Sequence, residues 1–256
     1  MAVDEALLRS YQSNPEMPVF RLYGWSSPTV SLGRFQQYDD DIFPGACAQA
    51  GVPLVRRITG GGAIYHDHEI TYSLVCSRDD LGKMSVKESY RKLCGFLIEL
   101  YQGFGIDARF ALDRFPDDDS IGRKTVHCFA GREAYDIITP HGKLGGNAQR
   151  RLGQLVFQHG SIPFSLRLDK QRALFAEHAL PAPDTVVGLY DAAACDVSEL
   201  TYSNVGRRIS TAFANVMDIS WVTVPLTESE QREADILQQQ KYSSSTWNID
   251  IKDLCV

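Results

Sequence analysis

Three consecutive glycines, Gly60-Gly61-Gly62, stand between a basic pair, Arg56-Arg57, and a histidine–aspartate pair, His66-Asp67. Without a Cβ the backbone can take φ > 0 and come into direct contact with a ligand, presenting N–H groups to a carbonyl, phosphate or carboxylate. A flexible surface turn would show the same glycines, but linkers of that kind rarely sit between apolar strand patterns and paired arginines. The loop is not a Walker phosphate loop, since no Gly-Lys-Ser/Thr closes it. Nor is it the dinucleotide fingerprint, which needs Gly-x-Gly-x-x-Gly leading into a helix.

Three further places carry reactive side chains: Cys128, Lys143 and the segment Gln158-His159-Gly160. A lone cysteine in a strand is more often a small buried hydrophobe than a nucleophile. His127 does not decide the matter, because neighbours on a strand face opposite sides. Lys143 follows Gly142 at the mouth of a hairpin and precedes Leu144-Gly145-Gly146. Most lysines are solvated, but one drawn over a site polarises a carbonyl oxygen or lowers a thiol's pKa. The run Asp117-Asp118-Asp119 lacks ordered ligand spacing and reads as a solvated acidic loop rather than a metal site.

The elements that must position these residues alternate between helix and strand. Ala2 to Asn14 has helical spacing and ends at Pro15. Val19 to Trp25 and Thr29 to Gly33 read as strands, Ile42 to Ala50 as a helix, and Pro53 to Arg57 as the strand that feeds the glycine loop. Ile70 to Cys76 is a fourth strand. Ser85 to Gly103 is a long helix with Ser85 and Glu88 in capping-box register. Ala108 to Ala111, Thr125 to Ala130 and Tyr135 to Thr139 read as short strands, and a hairpin turns at Gly153 towards Gln154–Ile162. Lys170 to His178 and Val197 to Val216 read as helices, Trp221 to Val224 as an edge strand, and Thr227 to Gln240 as a last helix. Hairpins separated by helices predict an α/β (α+β) fold, with residues 1–256 as one domain.

Composition narrows the function classes. A net charge of −6 over 256 residues argues against a general nucleic-acid binder, whose affinity depends on neutralising phosphates. Six cysteines without C-x-x-C spacing read as reduced thiols, with no zinc site and no disulfide framework. No apolar run approaches a membrane span, and the acidic start Asp4-Glu5 does not suit a signal peptide. The expectation is a cytoplasmic enzyme with no membrane and no nucleic-acid partner.

The motifs together resemble the lipoate-protein ligase and octanoyltransferase family, relatives of the biotin-protein ligases. The resemblance rests on Arg56-Arg57-x-Thr59-Gly60-Gly61-Gly62-Ala63-x-x-His66-Asp67, on Gly142-Lys143-Leu144-x-Gly146-Asn147-Ala148-Gln149-Arg150-Arg151, and on Gln158-His159-Gly160-Ser161-Ile162. Met1 to Leu8, Ser31 to Gln36 and Tyr242-x-x-x-x-Trp247-Asn248 match further blocks in collinear order. It implies a biotin/lipoate-ligase-like catalytic domain, a central mixed sheet flanked by helices. It also implies that Lys143 contacts an acyl carbonyl and that the glycine loop lines a tunnel for an eight-carbon chain. The substrate-contacting set would be Arg57, Gly60, Gly61, Gly62, His66, Gly146, Asn147, Ala148, His159 and Gly160. Burying the chain carbons beyond the carbonyl stabilises binding by roughly 5–6 kcal/mol at about 0.8 kcal/mol per carbon.

Within the family Cys128, placed before Tyr135-Asp136-Ile137 and Gly142-Lys143, resembles the catalytic cysteine of single-domain octanoyltransferases, and the length agrees. That branch takes octanoyl from octanoyl-acyl carrier protein onto the cysteine and passes it to a lysine of a lipoyl-domain acceptor, such as a glycine-cleavage H protein or a dehydrogenase E2. It needs no cofactor. The alternative is an ATP-dependent lipoate-protein ligase working with ATP and Mg²⁺ through a lipoyl-adenylate. Two features point that way: Gly62, where many octanoyltransferases carry a larger basic residue, and Arg150-Arg151, which suit a phosphate. A silent acyl-carrier-binding module is a third reading, weakened by the presence of both Lys143 and Cys128.

Overall fold

The computed structural model describes residues 1–37, 41–118, 133–182 and 185–249. The expected strand Thr125 to Ala130, and Cys128 with it, lie outside the described residues.

The chain runs α1 (Ala2–Ser13), β1 (Val19–Tyr23), β2 (Thr29–Leu32), α2 (Pro44–Gln49), β3 (Leu54–Arg56), β4 (Ile64–His66), β5 (Glu69–Ser77) and α3 (Val86–Gln102). Then follow β6 (Arg109–Phe110), α4 (Ala111–Arg114), β7 (Ile137–Thr139), β8 (Gly142–Leu144), β9 (Gly146–Leu152) and β10 (Leu155–Pro163). Last come α5 (Leu168–Gln171), β11 (Val186–Val187), α6 (Leu189–Ala192), α7 (Tyr202–Met217), α8 (Glu228–Leu237) and α9 (Ser245–Asn248).

The principal sheet has the order β1-β5-β10-β9 and is antiparallel throughout. Two smaller sheets, β11-β8-β7-β6 and β3-β2-β4, supply the mixed character, through the parallel pairs β11–β8 and β3–β2. Strand alternation assigns the faces of the principal sheet. Tyr72, Leu74 and Cys76 of β5 join Phe96 and Leu97 of α3 and Ile209 and Phe213 of α7 in the main core. Val75 and Phe157 point the other way, against Leu7, Leu8 and Tyr11 of α1. Further along that second face, Thr71, Ser73, His159 and Ser161 are buried too, so the layer under β3-β2-β4 is polar.

Local signals placed the helix starts well. Ser85 accepts from Glu88 N while Glu88 accepts from Ser85 N, and Thr227 and Glu230 do the same for α8. Two expectations fail. The helix expected over Lys170 to His178 stops at Gln171, because Ile42 pairs with Phe175 as an isolated bridge and Phe43 N donates to Leu174 O at 2.8 Å. Those tertiary bonds pull Leu174 and Phe175 out of helical geometry, and only Glu177–Ala179 coils again, as a 3₁₀ turn. Trp221 to Val224 joins no sheet. Trp221 instead packs on Phe20 and Phe213 and donates its indole N–H to Ser210 O. Among the described residues, no helix is long and apolar enough to cross a membrane.

Candidate active site

The glycine loop is held from inside by Arg57. Its guanidinium donates to Gly60 O and Gly62 O, both at 2.7 Å, and to Ser31 O and Ser31 Oγ at 3.1 and 3.2 Å. One side chain thus fixes the loop's carbonyls against the end of β2. The approach is close: a Cβ on Gly33 would fall 1.8 Å from Gly61 O, so no larger residue fits at 33. Gly61 itself takes φ +95°. Thr59 Oγ1 then ties the loop to β10 through His159 Nε2 at 2.6 Å.

Opposite the loop stands the β9–β10 wall. Gly160 lies under Asn147, whose Oδ1 accepts from the Tyr72 hydroxyl at 2.8 Å and whose carbonyl accepts from Tyr90 at 2.9 Å. Lys143 comes from the β7–β8 hairpin, where Ile138 faces Lys143 in register. Asp136, two residues before Ile138, shares that face and its Oδ1 lies 2.8 Å from Lys143 Nζ. Asp136 is buried and also accepts from Glu133 N. A charged ammonium is therefore fixed at the cavity edge by a counter-ion that sequence reasoning did not single out, although the hairpin's face rule identifies it.

These parts enclose a cavity of about 940 Å³. Lys143 and every member of the expected contact set line it: Arg57, Gly60, Gly61, Gly62, His66, Gly146, Asn147, Ala148, His159 and Gly160. Gly60 and Gly146 differ from Gly61 and Gly160 in one respect. A Cβ built on either meets nothing within 4 Å, so these glycines keep space open rather than fit against protein. Among the described cysteines, 47, 76, 94 and 195, none lines the cavity. Burial pushes the Cys76 and Cys94 thiols up to about 12, which leaves them inert as nucleophiles.

The cavity wall contains a buried polar chain that the sequence did not reveal. Ser31 Oγ lies 2.7 Å from His66 Nε2, and His66 Nδ1 lies 2.9 Å from Glu69 Oε1. Glu69 also accepts from Thr71, Trp25 and Ser161. Burial works to raise its pKa, but the His66 charge and the donated hydrogen bonds outweigh burial and hold it below the usual carboxylate range. Both ring nitrogens of His66 are thus engaged by protein, and Ser31 and Glu69 border the cavity beside it.

His159 behaves in the opposite way. Burial, reinforced by the Arg57 cation, pushes its pKa down to about 3, so the ring is neutral at physiological pH. The unfolded chain takes up this proton near pH 6.5, which is about 1.4 kcal/mol per pH unit where the two states differ by one proton. A histidine with a lowered folded pKa therefore weakens folding as pH falls from about 6.5 towards 3. His159→Gln should flatten the loss of stability between about pH 6 and pH 5, above the carboxylate range. Urea midpoints across that interval check it.

The paired arginines donate to the protein itself. Arg150 donates to Ile58 O at 2.9 Å, and Arg151 donates to Met84 O, Ser85 O and Ser89 Oγ at 2.8–3.0 Å. Both hold main-chain carbonyls, and Arg151 also holds the Ser89 hydroxyl.

Residues 1–213 match the family model described as the lipoyl protein ligase A/B catalytic domain. Octanoyltransferase LipM of Bacillus cereus is 31% identical over 257 residues, covering 97% of this chain and 92% of its own. A crystal structure of lipoate-protein ligase A bound with ATP superposes with TM-score 0.80 at 26% identity, covering 98% of this chain and 92% of that one. A bipartite lipoate protein ligase of Thermoplasma acidophilum, studied with its E2 lipoyl domain, gives TM-score 0.78 at 24% identity, covering 98% and 90%.

Proposed function

The chain belongs to the lipoyl protein ligase A/B catalytic-domain family, and from that premise we propose that it transfers octanoyl groups in protein lipoylation. The likeness to a curated octanoyltransferase over nearly the whole chain carries this reading. Lys143, lining the cavity on its Asp136 counter-ion, fits it.

The donor is octanoyl-acyl carrier protein and the acceptor a lysine on a lipoyl domain, that of a dehydrogenase E2 or of a glycine-cleavage H protein. The Cys128 thiolate attacks the donor thioester. A new C–S bond forms, the carrier's C–S bond breaks, and the carrier thiol leaves. The acceptor amine then attacks the enzyme thioester, forming the amide and releasing Cys128. Thioester exchange is nearly isoenergetic and amide formation runs downhill, so no nucleotide is consumed. Lys143 stabilises the oxyanion in both steps. An ammonium has three donors, and the Asp136 bond occupies one of them.

The cavity sets acyl length. Gly146→Val would place two methyl groups in open space beside the chain. The folded state should keep its melting temperature, while KM for octanoyl donors rises about tenfold, the loss of one or two methylene contacts at about 0.8 kcal/mol each. A hexanoyl donor should suffer less. Equal losses for both lengths would show that the acyl chain does not pass Gly146.

Intact mass spectrometry after incubation with octanoyl-acyl carrier protein tests the cysteine route. The protein should carry a hydroxylamine-labile octanoyl adduct that Cys128→Ala lacks. Full transfer by Cys128→Ala would overturn it.

A further inference from the structure

The octanoyl-transfer reading leaves one chemical requirement unassigned. A lysine side chain is an ammonium at neutral pH, and its nitrogen cannot attack a thioester until a proton leaves. Three histidines line the cavity, and their surroundings separate them. His68 pairs through Nδ1 with Ser165 Oγ at 3.3 Å, and burial and the Arg167 cation lower its pKa. His159 sits beside the Arg57 cation in a fully buried site and resists protonation. His66 has a buried carboxylate on its far nitrogen, the arrangement that fixes a tautomer and stabilises an imidazolium.

The hydrogen-bond directions follow from the partners. Glu69 has no proton to give, so His66 Nδ1–H donates to it, and Nε2 is left as an acceptor for the Ser31 hydroxyl. Ser31 Oγ accepts in turn from the Arg57 guanidinium at 3.2 Å, which makes its own hydroxyl more acidic. A second lone pair on Oγ remains; Ser31 is fully buried in the cavity wall, so the acceptor nitrogen reaches it only by pressing into that wall. The ring is also clamped: Trp25 stacks on His66 with centroids 4.1 Å apart and planes 13° apart, and its indole N–H bonds Thr71 and Glu69. An aromatic face over an imidazole favours its cationic form.

We propose that Ser31, His66 and Glu69 form a relay that takes the proton from the acceptor lysine as it attacks the acyl thioester. The ammonium N–H donates to Ser31 Oγ. As its proton moves to Oγ, the Ser31 hydroxyl proton moves to His66 Nε2, and the imidazolium is held by Glu69. The freed amine pair forms the C–N bond; as the C–S bond breaks, its electron pair leaves on the enzyme sulfur, which takes the second nitrogen proton and departs as the Cys128 thiol. The first proton, held on His66, is then released to water. No oxidant, nucleotide or metal enters the balance.

Several charged or titratable groups face the relay from the elements packed around it. Glu69 comes from β5, Arg57 from the chain after β3, His159 from β10 and Asp4 from α1, with Arg21 and Tyr23 of β1 bonded to Asp4. Asp67, adjacent in sequence, is turned to Lys170 at 3.1 Å. Glu69 is therefore the carboxylate in direct contact with the imidazole.

The relay acts on the second half of the reaction, so the two halves are measured separately on the full chain. Loading is read as octanoyl adduct formed from octanoyl-acyl carrier protein, and transfer as decay of isolated adduct on adding a lipoyl domain. In His66→Gln and Ser31→Ala the ratio of transfer rate to loading rate should fall about a hundredfold, within the usual range for a positioned acid–base group. The pH profile of transfer should change in both variants. Hydroxylamine, an acceptor already neutral at pH 7, should discharge the adduct of both variants with far less slowing than the lipoyl domain suffers. An unchanged transfer-to-loading ratio, or equal slowing with hydroxylamine and with the lipoyl domain, would overturn the relay. Absence of any adduct on the unmodified protein would instead remove the transfer reading on which the relay rests.

Discussion

Lys143→Met should reduce octanoyl transfer by two to three orders of magnitude, the effect of removing one preorganised oxyanion donor, about 2.7–4 kcal/mol of transition-state stabilisation. The loss should fall on kcat, with KM for the acyl donor little changed, because the oxyanion exists only in the transition state. The geometry behind the expectation is the 2.8 Å contact to buried Asp136, which holds the ammonium at the cavity edge before substrate arrives. Removing the lysine also leaves Asp136 without its cation, so some stability will be lost. Lys143→Met/Asp136→Asn separates the two effects. It should recover melting temperature relative to Lys143→Met and recover no activity. Recovery of turnover in the double variant would show that Lys143 acts structurally.

The largest effect on stability is expected at Arg56. Its side chain is fully buried and has no carboxylate partner among the described residues; the guanidinium donates to the carbonyls of Gly33, Arg34, Gln36, Trp247 and Asn248 at 2.7–3.4 Å. Asn248 Oδ1 accepts from Arg56 N, and the Trp247 indole donates to Arg56 O. One cation thus binds the β2–α2 loop and the helix α9 to the strand that carries the glycine loop. Arg56→Met keeps much of the volume but leaves several buried carbonyls without donors, so the loss should be about 3–5 kcal/mol. At about 2–4 °C per kcal/mol for a chain of this size, the melting midpoint should fall by roughly 10 °C. Arg56→Lys should recover little, since an ammonium cannot match five acceptors in a planar fan. A calorimetric scan decides the point, and a drop of only a degree or two would mean that these bonds are replaced by water.

How far the sequence reached can be traced residue by residue. The helix starts at Ser85 and Thr227 were legible because a capping box is written within four residues. The helix expected over Lys170 to His178 was not, because the bridge between Ile42 and Phe175 spans a gap that local periodicity does not register. The contact set was legible as motifs, and all of it lines one cavity. The roles within it were less so. Arg57, expected as a ligand contact, lines the cavity and also holds Gly60 and Gly62, a bracing role that the motif did not disclose. Arg150 and Arg151, which suited a phosphate in sequence, also hold main-chain carbonyls, a contact between distant segments that no local pattern discloses. Ser31 and Glu69 carry no motif of their own and gain meaning only when β2, β4 and β5 bring them to His66. Asp136 could have been found from the hairpin, since it lies two residues before the partner of Lys143. Cys128 lies outside the described residues and rests on the family resemblance.

The measurement that tests the central claim most directly is an acyl-transfer assay in which nucleotide has been removed enzymatically. The purified protein is mixed with octanoyl-acyl carrier protein and a lipoyl domain, and both substrates are followed by intact mass. The account predicts that octanoyl leaves the carrier and appears on the lipoyl domain as a hydroxylamine-resistant amide, at a rate that added ATP and Mg²⁺ do not change. Transfer that requires ATP with free octanoate or lipoate, with pyrophosphate released in step, would contradict it.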